Sequence, residues 1–280
     1  VPIRGTPSPE ENRALAQAIQ AYLQGGSGEN VLPLVVFLEG HAVSVWRASL
    51  QLNLGLIYGR TGYYSRAVRT LEDAWAVAKG ATDARGRAIA DRALGELLQI
   101  SSRVGRHQRL GELLEEARAR PVGGRAGEMV EQAKQAKQAH WLIRNHPDRS
   151  LLCGPVGLDR ILAFGHAEYV GDPEVREYRA TAHGTTLTQM NALANAVGLG
   201  FQMAKRADVG GEVPTPALIH WSSGHFAALL QQRGERYYVE DPAFGGGRWI
   251  SRRALDDEAS GFALVRQGPL PRGWRAVEAA

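Results

Sequence analysis

Ser150-Leu151-Leu152-Cys153-Gly154-Pro155-Val156-Gly157-Leu158-Asp159-Arg160-Ile161-Leu162 is the stretch on which the reading of this chain turns, and it holds the only cysteine in 280 residues. Pro155 fits the first turn of a helix, where a missing N–H is no loss. Leu158, Ile161 and Leu162 follow at helical spacing. The pattern therefore places the sulfur at or just before a helix N-terminus. There the helix dipole and unpaired N–H groups favour an anion and lower a thiol pKa, which is what a nucleophilic cysteine needs. A lone cysteine is otherwise a small buried apolar residue. What separates the two readings lies downstream, at His225 and Asp241.

His225-Phe226-Ala227-Ala228-Leu229-Leu230 and Tyr237-Tyr238-Val239-Glu240-Asp241 read as consecutive strands. A three-residue loop, Gln232-Arg233-Gly234, would use Gly234 in the left-handed position. That register sets His225 directly opposite Asp241, at roughly 5 Å between Cβ atoms. A slip of one residue sends Asp241 to the other face, so the sequence permits a His–Asp pair without requiring it. Asp241 also suits a turn before Pro242. His220 competes as the base, and Trp221 beside it is a candidate for lining a substrate cleft. The remaining histidines show no metal-ligand spacing, and no glycine cluster precedes a phosphate-binding helix. Neither metal nor cofactor is expected.

Around these strands, Ala217-Leu218-Ile219, Arg248-Trp249-Ile250 and Gly261-Phe262-Ala263-Leu264-Val265 are further short strands, with a short helix from Ser251. Leu187 to Val197 reads as an amphipathic helix ended by Gly198. The second part therefore runs helices first and strands later, an α+β unit with an antiparallel meander. Pro269 and Pro271 mark an exit tail. His146 to Ser150 breaks the preceding helical pattern, so the expected domains are 1–146 and 147–280.

The first part is helical. Pro9 opens a helix with Leu15, Ala18, Ile19, Tyr22 and Leu23 on one stripe, and a second covers Glu29 to Glu39. Leu54, Gly55 and Tyr58 precede Tyr64, Ala67, Leu71 and Ala74. Leu94, Gly95 and Leu98 then precede Leu110, Leu114 and Ala117, before Pro121. Small residues let paired helices approach and large ones fill the gap. This pattern resembles the tetratricopeptide repeat, with lengthened hairpins. Arg125 to Ile143 reads as a long capping helix. The resemblance implies a groove for a peptide or partner protein, and a plain supporting bundle is the alternative.

The net charge of +4 is spread among acids, with Glu112, Glu115, Glu116 and Arg118 as an example. That is a solvated helix face and not a nucleic-acid stripe. Hydrophobic content of 44% suits a soluble globular protein. No apolar run reaches membrane-spanning length, and one cysteine excludes an internal disulfide framework. Val1 is not an initiator, which suggests a processed chain or a piece of a larger bacterial protein, with export and compartment left open.

A cysteine at a helix N-terminus, a histidine on a strand and an aspartate on the next strand follow the order of papain-like enzymes. Residues 151–265 resemble the bacteriocin-processing, or double-glycine leader, cysteine peptidase family. The matching pieces are Cys153-Gly154-Pro155, the helix Leu187 to Gly198, Gly224-His225-Phe226-Ala227-Ala228-Leu229, and Val239-Glu240-Asp241-Pro242 followed by Gly245. The resemblance implies a papain-like fold and hydrolysis after small residues, often Gly-Gly. Its substrate is a protein or peptide, and its catalytic Cys, His and Asp fall on Cys153, His225 and Asp241. The family usually places an oxyanion glutamine six residues before the cysteine, where this chain has Pro147. Asn145 or His146 is the candidate substitute, or the Cys153 backbone N–H acts alone. The expected function is a thiol peptidase acting on a peptide precursor or on its own parent polypeptide. The alternatives are a catalytically inactive peptide-binding module and an acyl transferase with the same thioester chemistry.

Overall fold

A computed structural model describes residues 1–26, 28–118, 120, 127–207, 209–241, 243 and 246–278. Pro121, the start of the Arg125–Ile143 helix, Pro242 and Gly245 lie outside the described residues. The chain forms two compact units. One comprises 1–102 and 106–138, the other 103–105 and 139–280.

The first unit is built of helices α1 (Pro9–Gln24), α2 (Leu32–Gly40), α3 (Arg47–Thr61), α4 (Tyr64–Ala78), α5 (Ala84–Arg103), α6 (His107–Arg118) and most of α7 (Gly127–Asn145). Ser8 caps α1 by accepting from the Glu11 N–H, with Pro9 as its first residue. Gly62, in the left-handed conformation, ends α3. Gly55 lets α3 close onto α4, since a Cβ there would lie 2.6 Å from Leu71 Cγ. Gly95 meets Gln132 of α7 in the same way. Leu71, Ala74, Leu94, Leu98 and Leu110 are buried in one apolar cluster. Arg109 joins α4 to α6 by bonding Glu72, Glu112 and Glu116.

The second unit holds α8 (Pro147–Ser150), α9 (Cys153–Ala163), α10 (Pro173–Glu177), α11 (Leu187–Ala196) and α12 (Arg252–Glu258). Its strands are β1 (Phe201–Arg206), β2 (Ala217–Trp221), β3 (His225–Arg233), β4 (Arg236–Asp241), β5 (Gly246–Ser251), β6 (Ala259–Arg266) and β7 (Trp274–Ala276). They make one sheet in the order β5-β4-β3-β2-β6-β1-β7, antiparallel at every ladder. The meander holds from β2 to β5. It then breaks, because β6 returns to the free edge of β2. The tail after Pro271 supplies edge strand β7 to β1. Neither β1 nor β7 was among the expected strands. Leu158 and Ile161 of α9 and Met190 and Leu193 of α11 pack on Leu218, Phe226, Ala228 and Leu264 of the sheet.

Candidate active site

Cys153 is the first residue of α9. Val156 N–H already bonds the Leu152 carbonyl, so the Cys153 N–H has no acceptor within the helix. Two glycines let α9 sit low. A Cβ on Gly157 would strike Leu218 and lie 3.7 Å from the β3 backbone at Ala227 and Ala228. A Cβ on Gly154 would lie 2.7 Å from Thr185 Oγ1 and 2.9 Å from Met190 Cγ, and would overlap the Met190 sulfur. The Gly154→Ala variant is therefore expected to lose about 1–3 kcal/mol by overpacking. Urea unfolding measures it, and a loss below the lower bound would show that α11 yields freely.

The β3–β4 hairpin differs from the three-residue loop expected. Arg233 pairs with Arg236, leaving Gly234 and Glu235 as a two-residue turn with Gly234 at φ +55°. Carried through, this register would put Asp241 on the opposite face from His225. A bulge between Leu229 and Gln231 corrects it, so that Ala228 pairs with Glu240 and Leu229 with Val239. The extra residue restores the side-chain parity. His225 and Asp241 then become diagonal neighbours on one face instead of direct opposites. Trp221 pairs with His225 across β2 and β3 and joins the same face.

The three side chains form one buried network. Asp241 is fully buried and His225 is 4% exposed. His225 Nε2 lies 2.8 Å from Asp241 Oδ1, which also accepts the Ala243 N–H at 3.0 Å. Asp241 Oδ2 accepts Trp221 Nε1–H at 3.2 Å. Trp221, expected at a cleft wall, is instead 1% exposed and orients the carboxylate. Cys153 is half-buried, and its thiol hydrogen-bonds His225 and meets the backbone N–H groups of Phe226 and Gly154. With Nε2 taken by Asp241, Nδ1 is the ring nitrogen left for sulfur. Burial pushes the thiol up, but the His225 bond and charge, with the two N–H groups, outweigh it and hold the thiol below its usual range. Burial pushes His225 down, yet its bonds to Asp241 and Cys153 raise it to about 10. The arrangement therefore favours a thiolate beside an imidazolium.

The other candidates are not bonded to the Cys153–His225–Asp241 network. Asn145 ends α7, and its amide donates to the Trp141 carbonyl at 2.7 Å. That bond engages one of the two amide hydrogens. Pro147 opens α8 and carries no donor side chain. His220 Nδ1 lies 2.9 Å from Ser260 Oγ, and His220 has no bond to Asp241. Among the described residues no group of three or more metal-ligating side chains occurs, and no helix is long and apolar enough to cross a membrane. The Trp221 bond went unread because a strand tryptophan gives no sign of where its N–H points. The period-two alternation of 219, 221, 225 and 227 was the available signal.

Comparison with known proteins places this unit. A family model described as the Peptidase C39 family matches residues 147–269. The colicin V secretion/processing ATP-binding protein CvaB of Escherichia coli is 32% identical over 90 residues, which is 32% of this chain and 13% of that protein. The probable microcin-H47 secretion/processing ATP-binding protein MchF, also of Escherichia coli, is 29% identical over 90 residues with the same coverage. The chain thus spans about an eighth of the length of these relatives. A solved double glycine motif protease from an AMS/PCAT transporter, in complex with the leader peptide, matches at 22% identity and a TM-score of 0.33. That match covers 40% of this chain and 81% of the other. Over residues 147–269, less than half of its length, this chain is similar to the Peptidase C39 family, a family of cysteine peptidases.

Proposed function

We propose that residues 147–280 form a papain-like thiol peptidase domain that cuts a peptide precursor after small residues such as Gly-Gly. In this reading residues 1–146, the tetratricopeptide-like part, hold the substrate or a partner. The observation that carries the proposal is the buried Asp241–His225 bond, with the Cys153 thiol on the remaining face of the imidazole.

The steps follow from that geometry. His225 holds the thiol proton, and Cys153 Sγ attacks the scissile carbonyl carbon. The carbonyl oxygen becomes an oxyanion, and the unpaired Cys153 N–H at the start of α9 is its donor. Collapse expels the amine, which takes the proton from His225 Nδ1 and leaves an acyl-thioester. Water then attacks, giving its proton to His225, and the second collapse frees the carboxylic acid and restores the thiol–imidazole pair. Asp241 keeps the proton of Nε2 in place throughout, so Nδ1 does the exchange. The secretion/processing names of the relatives support a precursor peptide as the substrate class.

One observation favours a second reading. Pro147 stands where a side-chain oxyanion donor is expected, and losing one such donor costs about 10²–10³ in rate. A slow hydrolase gives a thioester time to meet an amine, which makes acyl transfer the competing chemistry. An inert peptide-binding module is the limiting case.

The test uses a synthetic precursor peptide containing Gly-Gly, with a small amine present. A free acid ending in Gly-Gly is the expected product, absent in Cys153→Ala. An amide product establishes transfer, and no product with an unreactive thiol establishes the inert module. The pH profile adds a second check. Alkylation by iodoacetamide is expected to rise through a lowered thiol midpoint and then stay level. Hydrolysis also needs the imidazolium, so kcat/KM falls again as the pH passes about 10. A thiol that titrates in the ordinary range of about 8.5 overturns the ion-pair reading.

A further inference from the structure

We infer that His220 is a neutral hydrogen-bond acceptor for a backbone N–H of the bound peptide, offered through Nε2 beside Cys153. The inference rests on the thiol-peptidase reading and adds a binding residue to it. His220 pairs with Phe226 across β2 and β3, and the two rings meet edge to face at 4.8 Å. Phe226 in turn packs in the cluster that Cys153 borders, and its N–H touches the thiol. His220 therefore stands one ring away from the nucleophile, on the sheet face that carries α9.

Hydrogen-bond accounting fixes its tautomer. The β2–β6 ladder shifts register between Ile219 and Trp221, at His220 itself. Ser260 fills that gap. Its hydroxyl donates to the His220 carbonyl at 3.0 Å and accepts the Phe262 N–H at 3.3 Å. A hydroxyl has one proton, and the carbonyl takes it. Ser260 Oγ therefore faces His220 Nδ1, at 2.9 Å, as an acceptor. Nδ1 carries the hydrogen, and Nε2 presents a lone pair. Nε2 has no partner among the described residues, and the side chain is partly exposed. Burial, with the charge of His225, lowers the pKa of His220 and keeps it neutral. A neutral acceptor next to a thiolate–imidazolium pair suits a peptide N–H and repels no part of an uncharged Gly-Gly backbone.

The test compares inactivation of Cys153 by an acyl-Gly-Gly chloromethyl ketone with two analogues. In each analogue one of the two N–H groups is replaced by an ester oxygen. Wild type is expected to lose about 2- to 10-fold with one analogue, the worth of one neutral hydrogen bond. His220→Ala loses the same factor with the parent reagent and nothing further with that analogue. His220→Gln, which keeps an acceptor oxygen, recovers part of the loss. Iodoacetamide, which needs no peptide contact, reacts with Cys153 in His220→Ala within about twofold of wild type. Additive losses, no loss with either analogue, or a matching drop with iodoacetamide would each overturn the assignment. Failure of the peptidase reading would show separately, as a wild-type thiol unreactive toward iodoacetamide.

Discussion

Replacing His225 by alanine is expected to slow alkylation of Cys153 by iodoacetamide at pH 6 by about 10- to 10²-fold. At that pH an ordinary thiol is only about 0.3% thiolate. A thiol paired with imidazolium is largely ionised, and its lower intrinsic nucleophilicity gives back part of the advantage. Without His225, only the Phe226 and Gly154 N–H groups oppose the upward push of burial on the sulfur, and the lowering that the imidazole supplies is lost. Peptide hydrolysis falls further, by about 10²–10⁴, because His225 must also protonate the leaving amine. Alanine leaves the Asp241 carboxylate buried with one donor fewer, so folding is checked by circular dichroism. His225→Gln serves as the second variant, since it can still donate to Asp241 but cannot carry a proton at this pH. If both variants fold and alkylate at the wild-type rate, the imidazole does not activate the sulfur.

The parts of the site that could be read from sequence are those fixed by residue identity and order. A single cysteine before Gly-Pro and an apolar helical stripe placed Cys153, the candidate nucleophile, at a helix start, where the fold has it. The strand beginning at His225 and the one ending at Asp241 were legible from their apolar runs between turn residues. Their relative geometry was not. A bulge near Leu230 carries no signature in Leu229-Leu230-Gln231, yet it decides the face on which Asp241 lies. The notional three-residue loop reached the right parity by a different route. Likewise, β6 pairs with β2 and not with β5 because sheet order is set by tertiary packing. No local pattern in Gly261 to Val265 encodes that partner. Asn145 is the candidate oxyanion donor, with a linker residue after a helix end as the alternative. In the fold α7 runs on to include it, and one of its two amide hydrogens bonds the Trp141 carbonyl.

Asp241→Asn should show how much of the imidazole's basicity comes from the network behind it. The carboxylate faces three N–H donors: those of His225 and Ala243 at one oxygen, and that of Trp221 at the other. An amide has one oxygen and one NH₂, so it cannot accept from both sides. If its oxygen faces His225, the NH₂ opposes Trp221 Nε1–H. If it flips, the NH₂ opposes His225 and drives the proton onto Nδ1, where it can no longer receive one from sulfur. In both orientations the negative charge that raises His225 is gone, so its pKa falls from about 10 toward the ordinary value. The basic limb of kcat/KM moves to lower pH, and the maximal rate drops on the order of 10²-fold or more. Asp241→Ala abandons all three donors in a fully buried site, and urea unfolding is expected to record a loss of about 3–5 kcal/mol. Trp221→Phe keeps the ring but removes one donor, so its effect should fall between wild type and Asp241→Asn in the position of the basic limb. An Asp241→Asn variant with an unmoved basic limb and wild-type rate would mean that His225 draws its basicity from the thiolate alone, and the buried carboxylate would then be a structural anchor for Trp221 and Ala243.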